Sequence, residues 1–292
     1  MDTYKQKPLL SVRLMTYNHE KFIHQAMESI LSQKVDFPVE VVVGDDFSTD
    51  NTLSIIRKFK STKSIHIHIL ERAKGDEYWK KRQAQGRIYN FINILENCKG
   101  KYIALLDGDD YWTDPLKLQK QVDFLEAHSD FVGVFHNTGF IDERCEKPTL
   151  TSWRSYEQDV FVAKDTIRKL SLFHTSSYFF RNLKYDFSLL YSPGLISADM
   201  LLLGLISKHG KLKLLHDTMS VYRKNLGGLT SNESKLNYHK NRIVLNKVLN
   251  TYFNYKFTVQ VKSVIKHHKK ELFKLKYPRF YKIKRRILKK IL

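Results

Sequence analysis

Residues 100–126 read GKYIALLDGDDYWTDPLKLQKQVDFLE. The apolar run Tyr102–Leu106 has the length of a buried strand and is too short for a buried helix. It stops at the acidic cluster Asp107-Gly108-Asp109-Asp110, and Pro115 then opens an amphipathic helix over Leu116–Leu125. The same order of strand, polar tip and helix recurs upstream. Leu9–Met15 runs into Thr16-Tyr17-Asn18-His19-Glu20, after which Phe22, Ile23, Ala26, Met27, Ile30 and Leu31 repeat at helical spacing. The β-branched run Val39–Val43 ends in Gly44-Asp45-Asp46-Phe47-Ser48-Thr49-Asp50, and Leu53, Ile55, Ile56 and Phe59 mark the next helix. Ile65, Ile67 and Ile69 alternate with His66 and His68 as a half-exposed strand; Ile88–Leu95 reads as helix and Phe131–Phe135 as strand. Strands alternating with helices predict an α/β fold with a mostly parallel sheet covered on both faces. In such sheets ligands bind beyond the carboxyl ends of the strands, so the three polar tips are expected on one rim.

The second half is less regular. Ser171–Arg181 reads as a strand, with Tyr178, Phe179 and Phe180 as core first and a sugar-stacking platform second. Ser197–Lys208 reads as a helix with Ser197 as its N-cap. Leu212–His216 and Met219–Tyr222 read as two short strands, Gly227-Gly228 as a turn and Ser234–Tyr252 as a helix. The change of pattern near 142–155 divides a main domain, 1–230, into a nucleotide half (1–140) and an acceptor half (141–230). A basic helical extension, 231–292, follows.

The chain has 292 residues, 42% apolar and 13% aromatic, enough for a large core and inconsistent with wholesale disorder. Two cysteines, Cys98 and Cys145, build neither a disulfide framework nor a zinc site, which fits a reducing compartment. The N-terminus lacks the basic and apolar regions of a signal peptide, and no apolar run approaches the ~20 residues of a membrane span. Net charge is +20, and residues 256–292 carry +13 of it, with fourteen Lys or Arg against Glu271 alone. Within that tail Val264, Ile265, Leu272 and Phe273, then Ile283, Ile287, Leu288, Ile291 and Leu292, form apolar stripes among the cations. A basic amphipathic helix of this kind lies in the headgroup layer of an anionic membrane or packs on the body with a solvated basic face. Nucleic acid is the less expected anionic partner, although Tyr277, Phe280 and Tyr281 stand in the tail.

Three carboxylates within four residues, Asp107, Asp109 and Asp110, repel one another unless a cation or hydrogen bonds compensate. Hard oxygen donors suit Mg²⁺ or Mn²⁺, which bind through one or two carboxylates plus substrate phosphates. Such an ion neutralises charge on a departing diphosphate. The alternative is an acidic loop in which Asp114 caps the next helix. At the second tip, Asp45 or Asp46 can accept a hydrogen bond from a base N–H, while Ser48 and Asp50 can cap the following helix. At the first tip, Tyr17 offers an aromatic face for a base, against a capped helix start at Asn18 or His19.

Taken together, LSVRLMTYNHEKFIHQAMESILSQ (10–33), VEVVVGDDFSTDNT (39–52) and residues 100–126 resemble the family 2 glycosyltransferases, which have the GT-A fold, a Rossmann-like sandwich. The likeness covers roughly Leu9 to Val134. It implies transfer of a sugar, with inversion, from a nucleotide-diphosphate sugar, commonly UDP-linked, to a glycan or lipid-linked glycan acceptor in surface polysaccharide synthesis. By the same resemblance Thr16, Tyr17 and Glu20 line the nucleoside pocket, Asp46 with Asp45 beside it holds uracil, and Asp107, Asp109 and Asp110 form the metal and diphosphate motif. Asp109 is the main metal contact and Asp110 the next, for Mn²⁺ or Mg²⁺. GRIYNFINILENCKG (86–100) is similar to the family helix before that motif, with Arg87 out of register for its nucleotide-contacting Arg. LISADMLLLGLISKHG (195–210) resembles the family's base-bearing helix. It puts Asp199 at the base position and Ala198 where an acid often stands. A carboxylate at a helix N-terminus is held as the anion. HDTMSVYRKNLGGLTS (216–231) resembles the closing loop over the diphosphate, with Arg223 and Lys224 facing phosphate and Asn225 where the family often has His. The implied setting is the cytoplasmic face of a membrane. A competing reading is a non-catalytic nucleotide- or polyanion-binding module on the same fold.

Overall fold

The sheet assembles around β1 (Leu10–Thr16), buried except for partial exposure at Met15. A computed structural model describes residues 7–183, 185–227 and 233–281. β1 pairs in parallel with β2 (Val39–Asp45) on one side and β4 (Tyr102–Asp107) on the other, and β2 pairs in parallel with β3 (Ile65–Ile69). Helices cover both faces of this half, which is why its strands are continuous apolar runs. On one face lie α1 (Ile23–Leu31) and α5 (Lys117–Ala127), burying Ala26, Met27, Ile30, Leu118, Val122 and Leu125 against Leu10, Val12 and Leu14. On the other lies α4 (Ile88–Glu96). β4 alternates between them: Tyr102, Ala104 and Leu106 face the first core, Ile103 and Leu105 the second.

The complete sheet is mixed: its long ladders are parallel, as expected, and short antiparallel pairings complete it. Its order is β3-β2-β1-β4, then β9 (Phe179–Arg181), β6 (Phe131–Asp142), β10 (Lys211–Lys224) and β5 (Tyr111–Trp112). β9 lies antiparallel between β4 and β6. Between β6 and β9 the chain forms two two-residue strands and the short 3₁₀ turns Ala163–Thr166 and Thr175–Ser177, so no α-helix carries it back across the sheet for a parallel return. For the same reason Ser171–Arg181 is mostly turn, with three residues of strand at its end. The two short strands expected over 212–222 are one, β10 (Lys211–Lys224), parallel to β6, with register shifts around Thr218. β5 (Tyr111–Trp112) and β8 (Val160–Phe161) pair antiparallel to β10, and β7 (Thr151–Ser152) to β6.

α6 (Ala198–Ser207) is apolar all round and almost wholly buried. α7 (Lys235–Tyr252) packs Leu245 and Leu249 into that core, and α8 (Thr258–Lys276) adds Val261, Val264 and a buried His268, whose Nδ1 lies 2.9 Å from His239 Nδ1. The first turns of the basic tail therefore pack on the body, whereas Phe273 is exposed. The stripe Ile283 to Leu292, with Lys282, Lys284, Arg285, Arg286, Lys289 and Lys290, lies outside the described residues, as does Gly228. No described helix is long and apolar enough to cross a membrane.

Candidate active site

Strand register assembles the rim. Thr16 lies opposite Asp45, and Met15 opposite Asp107, so the carboxyl ends of β1, β2 and β4 finish level. Gly108 lets the β4 tip press against the β1 tip: a Cβ there would stand 2.8 Å from Thr16 Oγ1 and 2.9 Å from His19 Nδ1. Asp107 Oδ1 accepts from Nη1 of Arg13, a guanidinium fully buried in β1 and 4.6 Å from the Phe91 ring centroid. Asp107 keeps partial exposure toward the cleft. Asp109 accepts from Asn225 Nδ2 at 3.0 Å, and His19 Nε2 lies 3.8 Å away. Burial pushes the Asp109 carboxyl up, His19 opposes this, and Asp107 adds repulsion.

Asp110, expected as a second metal contact, is turned inward. Its Oδ1 accepts from the Arg223 N–H at 2.9 Å, and His174 Nδ1 lies 3.8 Å from its Oδ2, so it ties the loop to β10. Burial, then repulsion from Asp109 and Asp107, raises its pKa strongly. Arg223, expected on the nucleotide, braces the same loop from beneath. It donates to Asp109 O at 3.2 Å and to Gln25 Oε1, pairs with Glu143 at 3.2 Å and stacks 4.3 Å from the Tyr111 ring. Both arrangements have one cause: β5 pairs with β10 directly after the acidic loop, which draws neighbouring polar groups into the contact.

On the nucleoside side, Asp45 is buried and accepts from Ser48 N–H (2.8 Å) and Oγ–H (2.5 Å); burial raises its pKa, with Ser48 opposing. Asp50 secures the start of α2 (Thr52–Lys58) and the Glu20 N–H, while Glu20 itself accepts from Asn51 N and Nδ2. Glu20 thus fastens one tip to the other. Thr16 Oγ1 lies 3.2 Å from His19 Nδ1, and Tyr17 is 49% exposed at the mouth. Asn18 and Phe47 hold left-handed φ of 53° and 63°, an uncommon conformation that clusters at ligand sites.

Asp46 has a partner that the sequence reading missed. Arg82 forks onto it, Nε to Oδ1 at 2.8 Å and Nη2 to Oδ2 at 2.7 Å. Arg82 sits on α3 (Glu77–Gln85), a helix with no buried residue and hence no apolar period to find. Its available signals were the caps: Asp76 accepts from Trp79 N–H, and Gly86 follows at φ 72°. Tyr78 of α3 lies under Arg72, whose guanidinium is 3.8 Å from the ring and donates to Asp45 O at 2.8 Å.

Asp199 stands in the first turn of α6, where its main-chain carbonyl accepts from the buried Tyr178 hydroxyl at 3.3 Å. Burial raises its pKa; Arg242 of α7 opposes that, and Asp107 adds to it. Asp107 thus repels the charged forms of both Asp109 and Asp199. Ser197 does not cap α6 with its side chain; its hydroxyl donates instead to Asn241 Oδ1 at 2.8 Å. Among the described residues no three His, Cys, Asp or Glu side chains converge as a complete metal cage. The donor set still fits a divalent ion: Asp107 and Asp109 supply hard oxygens whose mutual repulsion a cation relieves, and Mg²⁺-like ions take their remaining ligands from phosphate and water.

The sequence profile described as "Glycosyl transferase family 2" matches residues 11–186. An uncharacterized protein of Mycobacterium tuberculosis is 32% identical over 226 residues, 75% of this chain and 60% of the relative, so the chain spans less than two thirds of it. The Escherichia coli UDP-Glc:alpha-D-GlcNAc-diphosphoundecaprenol beta-1,3-glucosyltransferase WfaP is 34% identical over 123 residues, 42% of this chain and 43% of that protein. The crystal structure of Staphylococcus aureus TarS 1–349 with UDP-GlcNAc superposes with a TM-score of 0.55 at 20% identity, over 85% of this chain and 72% of that one, a likeness of fold.

Proposed function

Because the chain belongs to glycosyl transferase family 2, we propose that it transfers a sugar with inversion from a UDP-linked donor to a glycan or lipid-linked glycan hydroxyl in surface polysaccharide synthesis. The observation that supports this reading is the strand register that ends β1, β2 and β4 level, with Thr16 opposite Asp45 and Met15 opposite Asp107, and with Asp109 beside His19 and Asn225 on the same rim. In this reading Asp46, oriented by Arg82, accepts the uracil N–H, and Tyr17 and Thr16 flank the nucleoside. A Mn²⁺ or Mg²⁺ ion held by Asp109 with Asp107 would neutralise the charge gathering on the departing diphosphate. Asp199 takes the proton of the acceptor hydroxyl. The acceptor oxygen then forms its bond to the anomeric carbon from the face opposite the leaving group. The carbon–oxygen bond to the diphosphate breaks, and UDP departs with the electron pair.

The cationic face of α8, with Lys262, Lys266, Lys269 and Lys270 exposed beside Val259 and Phe273, suits the anionic cytoplasmic face of a membrane. There the enzyme would share a surface with a lipid-linked acceptor. The triple variant K266E/K269E/K270E should stop co-floating with phosphatidylglycerol vesicles while staying folded; continued flotation would remove the membrane part of the proposal. The catalytic part is tested with a panel of UDP-sugars and Mn²⁺, scored by UDP release and by the anomeric configuration of the product. Asp199→Asn should lower turnover by about 10²–10⁴-fold with donor affinity kept. Undiminished turnover in that variant would exclude Asp199 as the base.

A further inference from the structure

His19 stands just past the tip of β1 with an imidazole that the transfer step does not use. Its main chain is fixed. The N–H donates to Thr52 Oγ1 at 2.7 Å, and the carbonyl accepts from the Phe22 and Ile23 N–H groups where α1 begins. The side chain lies at the rim, 19% exposed, beside an Asp109 side chain that is 16% exposed. Nδ1 lies 3.2 Å from Thr16 Oγ1, and Nε2 lies 3.8 Å from Asp109 Oδ2. Gly108 leaves the room that this needs, since a Cβ there would stand 2.9 Å from Nδ1.

The pair is arranged as metal ligands are. A separation of 3.8 Å is too long for a hydrogen bond. An imidazolium would close on the carboxylate to about 2.8 Å. The separation lies within the range that two ligands of one octahedral ion span, roughly 3.0 Å for adjacent and 4.2 Å for opposite positions with bonds of about 2.1 Å. Each member also has the outer hydrogen bond that orients a metal ligand. With the Nδ1–H donated to Thr16 Oγ1, the Nε2 lone pair of His19 is free on the side of Asp109. Asn225 Nδ2 donates to Asp109 Oδ2 at 3.0 Å, which occupies one lone pair of that oxygen and leaves the other. Asp107 has only Oδ2 to spare, because its Oδ1 accepts from Arg13. The acidic loop alone is therefore short of ligands, and His19 is the neighbour that can supply one.

We propose that His19 Nε2 is a direct ligand of the divalent ion, paired with Asp109, so that the β1 tip and the acidic loop close on one cation. A nitrogen donor changes which ion is held. Oxygen ligands suit Mg²⁺, whereas imidazole favours ions later in the series from Mn²⁺ to Co²⁺. The inference rests on the transferase reading for the diphosphate that completes the coordination but not for the ligand pair, and the experiment separates the two. Full-length wild type, His19→Gln and His19→Asn are titrated calorimetrically with UDP in Mg²⁺, Mn²⁺ or Co²⁺. Pulsed electron paramagnetic resonance of Mn²⁺, with and without UDP, is recorded on the same proteins carrying isotopically labelled histidine. Wild type should bind UDP at least about tenfold more tightly with Co²⁺ than with Mg²⁺, and its Mn²⁺ should show coupling to one histidine nitrogen. Both variants should lose the coupling and narrow the Co²⁺-to-Mg²⁺ ratio by about tenfold. Wild-type Mn²⁺ without histidine coupling, or coupling and ion preference that persist in both variants, overturns the proposal; metal-dependent UDP binding in those same proteins would leave the transferase reading in place. Histidine-coupled Mn²⁺, lost in the variants of a chain that binds no UDP, would leave the ligand pair standing and remove the transferase reading.

Discussion

The Asp46–Arg82 pair should be the fastening that keeps α3 on the nucleoside site. α3 has no fully buried residue, so its docking rests on this fork and on Tyr78, which lies under Arg72, packs near the Phe47 and Tyr89 rings and donates to Asp46 at 3.4 Å. Three N–O distances of 2.7 to 2.9 Å join the two groups, and the Asp46 side chain is only 9% exposed against 25% for Arg82. A hydrogen bond to a charged group contributes about 1.5–3 kcal/mol when buried. Solvent reaching Arg82 discounts the pair to a coupling of about 1–2 kcal/mol. The assay is a double-mutant cycle of D46N, R82Q and the double variant by urea unfolding, with amide exchange over residues 77–85. We expect each single variant to free those amides, and the double variant to be less destabilised than the sum of the singles by that coupling. UDP should bind R82Q about 5–30-fold more weakly, the same coupling expressed as an equilibrium ratio, because Asp46 is no longer oriented. Additive destabilisation within about 0.3 kcal/mol, with α3 amides unchanged, would refute the reasoning.

Gly100→Ala should destabilise by about 3 kcal/mol, at the upper end of overpacking costs, because the new Cβ would stand 2.5 Å from Ser11 N and 2.7 Å from Leu10 C, main-chain atoms of the central strand that cannot give way. Urea unfolding reads this directly, and a variant as stable as wild type would contradict the packing of β1. His136 is buried beside Lys117, and burial first, then Lys117, holds its pKa well below the ordinary value. It is therefore neutral when folded and takes up a proton on unfolding. Its contribution is complete above the unfolded value of about 6.5 and is lost as pH falls below it, by up to about 1.4 kcal/mol per pH unit. His136→Gln should flatten unfolding free energy against pH between 6.5 and 5; parallel curves would exclude this source of acid sensitivity.

The strands of the first half were legible because a doubly covered parallel sheet demands unbroken apolar runs, and β1, β2 and β4 have them. The rim followed from the same logic, since polar residues begin where each run ends. Burial misled at Ser171–Arg181, where Leu172, Phe173 and Tyr178 are core residues in turns rather than in a strand. Nothing local distinguishes Asp109, beside His19 and Asn225, from Asp110, which the β5–β10 pairing draws inward. Asp199 was singled out by the resemblance of residues 195–210 to a family helix, and it stands in the first turn of α6. Arg242 and Arg82 were not, because each acts across the fold from an amphipathic helix or one without a buried residue, whose pattern carries no mark of the contact.

The central claim is that Asp109 and its neighbours hold a metal-bound diphosphate, and calorimetric titration of UDP with and without Mn²⁺ into wild type and Asp109→Asn tests it most directly. Wild type should bind UDP in a Mn²⁺-dependent manner, and Asp109→Asn should weaken that binding by at least about tenfold, the least that disturbing a metal's surroundings costs. Equal, Mn²⁺-dependent affinity in the two proteins would contradict the claim.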